Sequence, residues 1–591
     1  MESHFSDIEQ VRLLVGLLEQ KGIRRVVLSP GSRNAPLTVS VARSTALTHY
    51  VVVDERSAAF FALGLAQQSG ETVALVSTSG TALLNYAPGI AEAYYQGIPL
   101  LVLSADRPPE WIDQDDSQAI RQQGVFSSFV KGSFQLPVSI TCDEERWHTN
   151  RVVNEAINLS REGFPGPVHL NIPLREPLYG FHSQQPEMPR VFSPVTTAPQ
   201  LQPAELLRMQ RRFSDSPKVM VIAGFNAPDS SLREIMEQLA AFRQVVVLTE
   251  SPANLSGGRI IPTIDRVLTT LSPGEAADYA PDLLITFGGA LISRMIKSFI
   301  RNHPPREHWH IDRRALPPDT CQSLTHPVPM GAASFFRQLC SGERLSSSPS
   351  DFAARWEAKN EAAALRHEQF IQQAPWCDLK AFSILWPQLP PQSHLQLGNS
   401  TPVRYAQLFD PAQVERTDSN RGTSGIEGSL STAIGASVAS GKETIVITGD
   451  LSFLYDSNAL WNRYLTPHLK IIVMANGGGG IFRFLPGSSA LKEVEELFET
   501  PHRVALGQLV QSHRLELFEA SDEASLQRVL PSFFEIRENP SVLLIETSAE
   551  ISGNVLKGYF NFFHQPIPPE LENENPGRKD DKKDKEIKAA R

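Results

Sequence analysis

At 591 residues the chain is too long for one hydrophobic core and predicts about three domains. Its 41% hydrophobic and 20% charged residues are ordinary for a soluble globular protein. A formal charge of −10, from 55 basic against 65 acidic side chains, argues against general affinity for nucleic acid or anionic membranes. Cys142, Cys321, Cys340 and Cys377 are scattered and form no C-x-x-C pair, so neither a disulfide framework nor a zinc site is indicated and a reducing cytoplasm fits best. The first residues lack a basic region followed by an apolar one, and no apolar run approaches the ~20 residues that cross a bilayer, so neither export nor membrane insertion is expected.

Along the chain, short β-rich runs alternate with helical segments, the pattern of an α/β protein with parallel sheets covered by helices. A first domain, 1–185, has strands expected at 25–28, 50–53, 72–77, 100–104 and 168–172. The second of these ends in Asp54-Glu55-Arg56, and a helix over 57–66 with apolar or small residues nearly all round follows, which puts Glu55 on the rim of a buried layer. Prolines 186, 189, 194 and 199 mark 181–200 as an extended linker. A central domain, 200–345, has strands at 218–223, 245–248, 283–287 and 309–311, and polar residues 341–351 connect it to a third domain, 355–565, with strands at 395–397, 445–448, 471–474 and 542–545. Ser79-Gly80-Thr81, a helix through 91–95 and the strand at 100–104 echo the layout from Gly449 to Asn476, predicting two related sheets. The charge-rich segment 572–591 cannot bury enough apolar surface to offset its ordering entropy and reads as disordered.

The stretch from Gly449 to Gly480 is the most informative. Gly449-Asp450 follows one apolar run and Asn476 closes another, with a helix expected at 457–464 between them. Both side chains would then emerge at the carboxyl ends of neighbouring parallel strands and face one crevice. Asp450 offers a carboxylate oxygen and Asn476 an amide oxygen, and the glycines at 477–480 let a backbone carbonyl, taken at Gly478, approach an ion. Such a set suits magnesium, which keeps coordination positions for water and phosphate oxygens. No Gly-Lys-Ser/Thr follows the glycines, so a P-loop fits poorly.

This Gly-Asp…Asn pattern resembles the thiamine-diphosphate motif. With Asp54-Glu55-Arg56 in the first domain and a domain between, the chain resembles the thiamine-diphosphate decarboxylases and carboligases. The resemblance implies a thiamine-diphosphate-binding fold whose first domain binds the pyrimidine and whose third binds the diphosphate and the metal, magnesium or manganese. It implies that Glu55 shares a proton with N1′ of the aminopyrimidine, so that the thiazolium C2 can be deprotonated. Ile426, in Ser424-Gly425-Ile426-Glu427-Gly428, would hold the cofactor bent, and Gly449, Asp450 and Asn476 would bind it. In that family the glutamate and the metal site come from different subunits, which implies a homodimer or a dimer of dimers.

Further runs narrow the resemblance: Ser29-Pro30-Gly31-Ser32-Arg33-Asn34, Thr78-Ser79-Gly80-Thr81-Ala82, Ser104-Ala105-Asp106-Arg107-Pro108-Pro109, Gln118-Ala119-Ile120-Arg121-Gln122, Gly398-Asn399-Ser400 with Arg404, and Asn420-Arg421-Gly422. In this order they resemble the 2-succinyl-5-enolpyruvyl-6-hydroxy-3-cyclohexene-1-carboxylate synthase family of menaquinone biosynthesis, which decarboxylates 2-oxoglutarate and adds the succinyl carbanion equivalent to isochorismate. The resemblance implies that Arg33 and Gln118 join Glu55 in catalysis. It places Ser32, Arg33, Arg107, Gln118, Arg294, Asn399, Ser400, Arg404 and Arg421 around the substrates, both of which are dicarboxylates suited to planar guanidinium forks. Ala475 and Ser117 stand where asparagine is frequent in the family. Ser293 stands where a lysine is frequent; Lys297, one turn beyond Arg294, is either its substitute or a solvated helix residue, and the solvated reading is preferred. Two alternatives are an acetolactate-synthase-like carboligase, against which the arginine set argues, and a non-catalytic thiamine-fold subunit, against which Glu55, Asp450 and Asn476 argue together.

Overall fold

The computed structural model describes residues 5–563 except 183–187, 196, 315, 342–344, 347, 412, 485–486, 488 and 490. The charged segment 572–591 lies outside the described residues. Three parallel sheets carry the fold. The first contains β1 (Arg25–Leu28), β2 (Thr48–Val51), β3 (Val73–Ser77), β4 (Leu100–Asp106), β5 (Ser133–Gln135) and β6 (Val168–Pro173), in the order β2-β1-β3-β4-β6-β5. The second contains β7 (Val219–Ala223), β8 (Val245–Thr249), β9 (Leu283–Phe287), β10 (Glu307–Asp312) and β11 (His326–Pro329), in the order β8-β7-β9-β10-β11. The third contains β12 (His394–Leu397), β13 (Arg416–Ser419), β14 (Thr444–Gly449), β15 (Leu469–Ala475), β16 (Glu516–Ala520) and β17 (Ser541–Glu546), in the order β13-β12-β14-β15-β17-β16. First and third sheets thus have the same winding, and the relatedness expected from sequence extends to the complete strand order.

Central strands are mainly apolar and buried, as in β4 and β14, whose polar residues Ser104, Asp106, Thr444 and Thr448 lie among apolar ones. The strands missed in the sequence, β5, β11, β13 and β16, are all at sheet edges. An edge strand tolerates the polar residues of Ser133–Gln135 and Arg416–Ser419 and the prolines of His326–Pro329. Edge strand β2 begins two residues earlier than expected. The linker also starts later than expected, since Phe181–His182 pairs antiparallel with Phe5–Ser6.

Four helices position the site: α1 (Glu55–Ser69), α2 (Arg294–Asn302), α3 (Ser429–Ser440) and α4 (Asp450–Tyr455). Helix α1 starts at Glu55 rather than 57 because the Asp54 side chain caps it, accepting from Ser57 N at 2.8 Å, and it ends at left-handed Gly70. The helix expected at 457–464 is instead α4, beginning at Asp450 itself, followed by the 3₁₀ turn Ser457–Trp461. The interruption falls at Asp456, whose buried carboxylate turns inward to accept from Ser431 N and Oγ, each at 2.7 Å. Helices α1 and α3 cross between the first and third sheets, and one core contains Val27, Phe61 and Leu75 together with Ile434, Val446 and Ile471. A second core joins Met220 and Leu284 of the central sheet to Phe382 and Ile445. The other face of the central sheet has its own core, including Phe213, Val221, Trp309 and Phe336.

Candidate active site

The third sheet reverses its strand order between β12 and β14, and the loops leaving these strands open a crevice at their carboxyl ends. Asp450 lies there, 1% exposed. Its Oδ1 accepts from Leu451 N and its Oδ2 from Gly477 N, both at 2.7 Å, and His502 Nε2 lies 3.3 Å from Oδ2. Burial pushes this carboxyl up, against the pull of those donors. Asn476 donates through Nδ2 to Asp378 Oδ2 at 3.0 Å, whereas its Oδ1 is buried with no partner. The Gly478 carbonyl accepts from Gly480 N at 3.0 Å and keeps a second lone pair. A Cβ on Gly478 would lie 2.6 Å from the Glu499 carbonyl, so only glycine fits beneath that segment.

These three oxygens form a hard donor set, and the unpartnered Asn476 oxygen is what a small cation would satisfy, so the residues fit magnesium. Among the described residues, no group of three His, Cys, Asp or Glu side chains forms a metal-binding cluster. Ser452 Oγ donates to the Ile426 carbonyl at 2.6 Å and fixes the Ile426 loop against α4.

Beside this crevice stands a group of cations. Arg404 Nη1 donates to Ser400 O at 2.8 Å, and Arg421 Nη1 donates to Asn399 Oδ1 at 2.9 Å. Both amide hydrogens of Asn399 go to carbonyls, of Asn420 and Gly425, each at 2.7 Å, so Asn399 bears on the crevice through Arg421. Burial, and the nearby Arg421 and Arg294, push Arg404 down to about 10. Burial also lowers Arg421, whose Nε is buried without a partner. Arg294, at the exposed start of α2, has no hydrogen bond or ion pair among the described residues.

Lys297 is half-buried and donates to Leu291 O at 2.9 Å. Burial lowers it, with Arg421, Arg294 and Arg301 adding to the effect and Glu250 opposing it. The solvated reading of Lys297 is therefore corrected: α2 packs this face inward. Ser293 caps α2, accepting from Ile296 N at 3.0 Å, and its hydroxyl donates to Asp265. Glu250 is buried and accepts from Ile292 N at 2.7 Å and Ser293 N at 2.6 Å. No carboxylate is ion-paired with Arg294, Lys297, Arg404 or Arg421 among the described residues; Asp265, Glu250 and Glu92 act on the three buried or half-buried ones only at longer range, which leaves room for an entering anion.

The first-domain residues form a separate group. Buried Arg33 donates to Leu174 O at 3.1 Å and to Glu176 Oε1 at 3.0 Å. Arg107 donates through Nε to Ser117 O at 3.0 Å and pairs with Asp116 at 2.5 Å. Unlike the first group, both arginines have internal counter-ions. Gln122 draws the surrounding segments together: its Oε1 accepts from Gly80 N at 2.9 Å, and its Nε2 donates to Asn171 Oδ1 at 2.9 Å and Ala105 O at 3.2 Å. Gln118 and Ser32 are exposed here. No described hydrogen bond or ion pair links this group to the cations of the third sheet. Gln118, Ser400 and Ser424 have φ of +55°, +76° and +65°, left-handed values that non-glycine residues seldom adopt and that concentrate at functional sites.

Glu55 is half-buried at the start of α1. Burial raises its carboxyl, outweighing the hydrogen bond from Asn85 Nδ2 at 3.5 Å. Its neighbours are tied to the end of α4: Asp54 Oδ2 accepts from Asn458 Nδ2 at 2.6 Å, and Arg56 donates to Tyr455 O at 2.6 Å. Exposed apolar side chains lie on the segments joined here, namely Val53 (50%), Leu84 (40%), Tyr455 (54%) and Trp461 (49%).

Sequence reading singles out neither Asp378 nor Glu92, a buried residue of the first domain. Glu92 accepts from Gly422 N at 2.6 Å, Thr423 N at 2.7 Å and the Thr423 hydroxyl at 2.5 Å, gripping the turn that carries Arg421. An acidic residue within the otherwise apolar and small run Ala87–Ala93 was the available signal.

Residues 9–125 match the family described as thiamine pyrophosphate enzyme, N-terminal TPP binding domain, and residues 398–546 match the corresponding C-terminal TPP binding domain. Fold and site thus define a thiamine-pyrophosphate-dependent enzyme. A 2-succinyl-5-enolpyruvyl-6-hydroxy-3-cyclohexene-1-carboxylate synthase of Porphyromonas gingivalis is 45% identical over 95% of this chain and 98% of its own length. Synthases of the same name from Christiangramia forsetii and Flavobacterium psychrophilum are each 39% identical over 94% of this chain and 99% of their own. The chain belongs to the 2-succinyl-5-enolpyruvyl-6-hydroxy-3-cyclohexene-1-carboxylate synthase family.

Proposed function

We propose that this enzyme decarboxylates 2-oxoglutarate and joins the remaining succinyl unit to isochorismate, releasing carbon dioxide, as a step of menaquinone biosynthesis. The observation that carries this reading is the set Arg294, Lys297, Arg404 and Arg421, gathered without a paired carboxylate beside the crevice of Asp450. Two dicarboxylate substrates supply the missing anions, and each charge-assisted hydrogen bond contributes about 1.5–3 kcal/mol. Pyruvate, with one carboxylate and a methyl group, would leave most of these cations unmatched, which disfavours an acetolactate-type reaction. A non-catalytic role gives no reason for retaining Glu55, Asp450 and Asn476 together.

Bound thiamine diphosphate supplies the carbon nucleophile that no side chain can provide. Asp450, Asn476 Oδ1 and the Gly478 carbonyl would hold magnesium, or manganese in its place, against the diphosphate. Glu55, its carboxyl raised by burial, holds a proton at N1′ of the aminopyrimidine. Ile426 would pack against the cofactor, Arg404 and Arg421 would orient one substrate carboxylate, and Arg294 would reach a second. Ser32, Arg33, Arg107 and Gln118 complete the substrate pocket from the first domain, with Asp116 and Glu176 yielding their arginines to substrate. A homodimer, or a dimer of dimers, brings the Glu55 of one copy to the metal site of another; the exposed apolar side chains on the segments joined at Glu55 support this. Four free cysteines suit the cytoplasm, and among the described residues no helix is long and apolar enough to cross a membrane.

The test is to incubate purified protein with thiamine diphosphate, magnesium, 2-oxoglutarate and isochorismate and to identify the product by mass. Turnover of pyruvate in place of 2-oxoglutarate, or none at all, overturns the reading.

A further inference from the structure

Asp378 opens the helix Asp378–Leu385, away from the loops that carry the candidate metal ligands, and is 1% exposed. Its hydrogen-bonding capacity is directed at one place. Oδ2 accepts from Asn476 Nδ2 at 3.0 Å, Oδ1 accepts from Thr547 Oγ1 at 2.5 Å, and the backbone N–H donates to Ser552 Oγ at 3.0 Å. Thr547 N in turn donates to Ala475 O at 3.3 Å, so the hydroxyl that holds Asp378 is anchored beside Asn476 itself.

A carboxylate only accepts, so the amide of Asn476 must present its NH2 to Asp378 and its oxygen to the opposite side. That oxygen is the buried atom with no partner. With the amide turned over, two acceptor oxygens would face each other at Asp378, and an NH2 would face any cation. The crowding is tight: a side chain at Gly480 would begin 3.2 Å from Asn476 Nδ2.

We infer that Asp378 is a positioning residue that fixes Asn476 as an oxygen donor to the metal, with Thr547 holding Asp378 in register. This rests on the reading of Asp450, Asn476 and Gly478 as the magnesium site. The orientation is built before the ion arrives, by three elements remote in sequence.

The test is Mn2+ binding, followed by electron paramagnetic resonance, to the full-length protein saturated with thiamine diphosphate. Asp378→Asn keeps the shape but lets the amide turn over, and its Mn2+ affinity falls 10–100-fold, the usual cost of losing such a partner. Thr547→Val gives a smaller loss, and the thermal midpoint without metal and cofactor stays at the wild-type value. Unchanged Mn2+ affinity in Asp378→Asn, or a loss that only follows a lowered thermal midpoint in both variants, overturns the inference while leaving the metal site standing. Wild-type protein that binds no Mn2+ overturns the metal reading and this inference with it. Should Asp378→Asn fail to fold, Thr547→Val decides by the same criterion.

Discussion

Gly64 and Gly435 are packed reciprocally. A Cβ on Gly64 would lie 2.1 Å from the carbonyl oxygen of Thr432, three residues before Gly435. A Cβ on Gly435 would lie 2.1 Å from the carbonyl oxygen of Phe61, three residues before Gly64. The following residues repeat the symmetry, Ala436 N against the first and Leu65 N against the second. The contacts of helices α1 and α3 are thus related by a local two-fold, in keeping with the shared strand order of their sheets.

Alanine at either position meets backbone, which cannot swing aside as a side chain can. Overpacking of this kind costs about 1–3 kcal/mol. Gly64→Ala and Gly435→Ala each lower the thermal midpoint, whereas Gly274→Ala, with nothing within 4 Å of the added carbon, leaves it in place. A wild-type melting curve for either helix variant would show that the contact relaxes freely.

Glu55→Gln retains the cofactor but slows hydrogen–deuterium exchange at its C2, because an amide cannot share a proton with N1′. Loss of a positioned proton-transfer group costs about 10²–10⁴-fold in rate. Exchange at the wild-type rate removes Glu55 from the mechanism.

Asp450→Ala weakens magnesium-dependent binding of thiamine diphosphate more than it weakens folding, since it deletes the charged ligand and leaves the amide and carbonyl. Titration calorimetry with and without magnesium decides this, and unchanged affinity refutes the ligand assignment.

Arg294→Ala raises the isochorismate KM at least tenfold, roughly 1.4 kcal/mol if KM tracks affinity, and leaves that of 2-oxoglutarate nearly unchanged. Lys297 spends a hydrogen bond on Leu291 O, so Lys297→Ala changes this KM less and lowers the thermal midpoint more. Varying each substrate in turn separates the two, and a larger KM effect from Lys297 would assign the carboxylate to the wrong cation.

Burial pushes Glu250 from its ordinary 4.5 up to about 7, against the pull of the Ile292 and Ser293 N–H groups. Between these values the folded protein holds a proton that the unfolded chain releases, so stability falls as pH rises through this window and levels off above it. Thermal midpoints measured from pH 5 to pH 8 fall more steeply in wild type than in Glu250→Gln, and parallel curves would count against the shift.

The central strands and the Gly449-Asp450…Asn476 crevice were legible because each is local: an apolar run, then a glycine, then a polar residue at the strand's end. Edge strands such as Ser133–Gln135 were not, because half their backbone pairs with nothing and their side chains need not be apolar. Asp378 was invisible for a different reason. It is 98 residues from the Asn476 it holds, and Glu92 is 330 from Gly422. Nothing in either neighbourhood shows its partner; the fold creates the contact. Lys297 was misread because some of the charges that act on it, Glu250 and Arg421, come from distant parts of the chain, which its own helix cannot reveal.

The core that Val27 and Phe61 share with Ile434 and Val446 also sets a timetable for synthesis. The apolar helix Glu55–Ser69 leaves the ribosome roughly 370 residues, or roughly 20–75 s, before the helix that covers it. The central sheet can complete one of its faces during that wait, because the core with Phe213 and Trp309 draws only on its own residues. The first domain can likewise complete the face with Leu14, Val26 and Leu101, but not the face that carries this helix, whose core includes Ile434 and Val446. A chain interrupted anywhere in between leaves uncovered the side of that helix that meets Ile434, an apolar surface prone to aggregation.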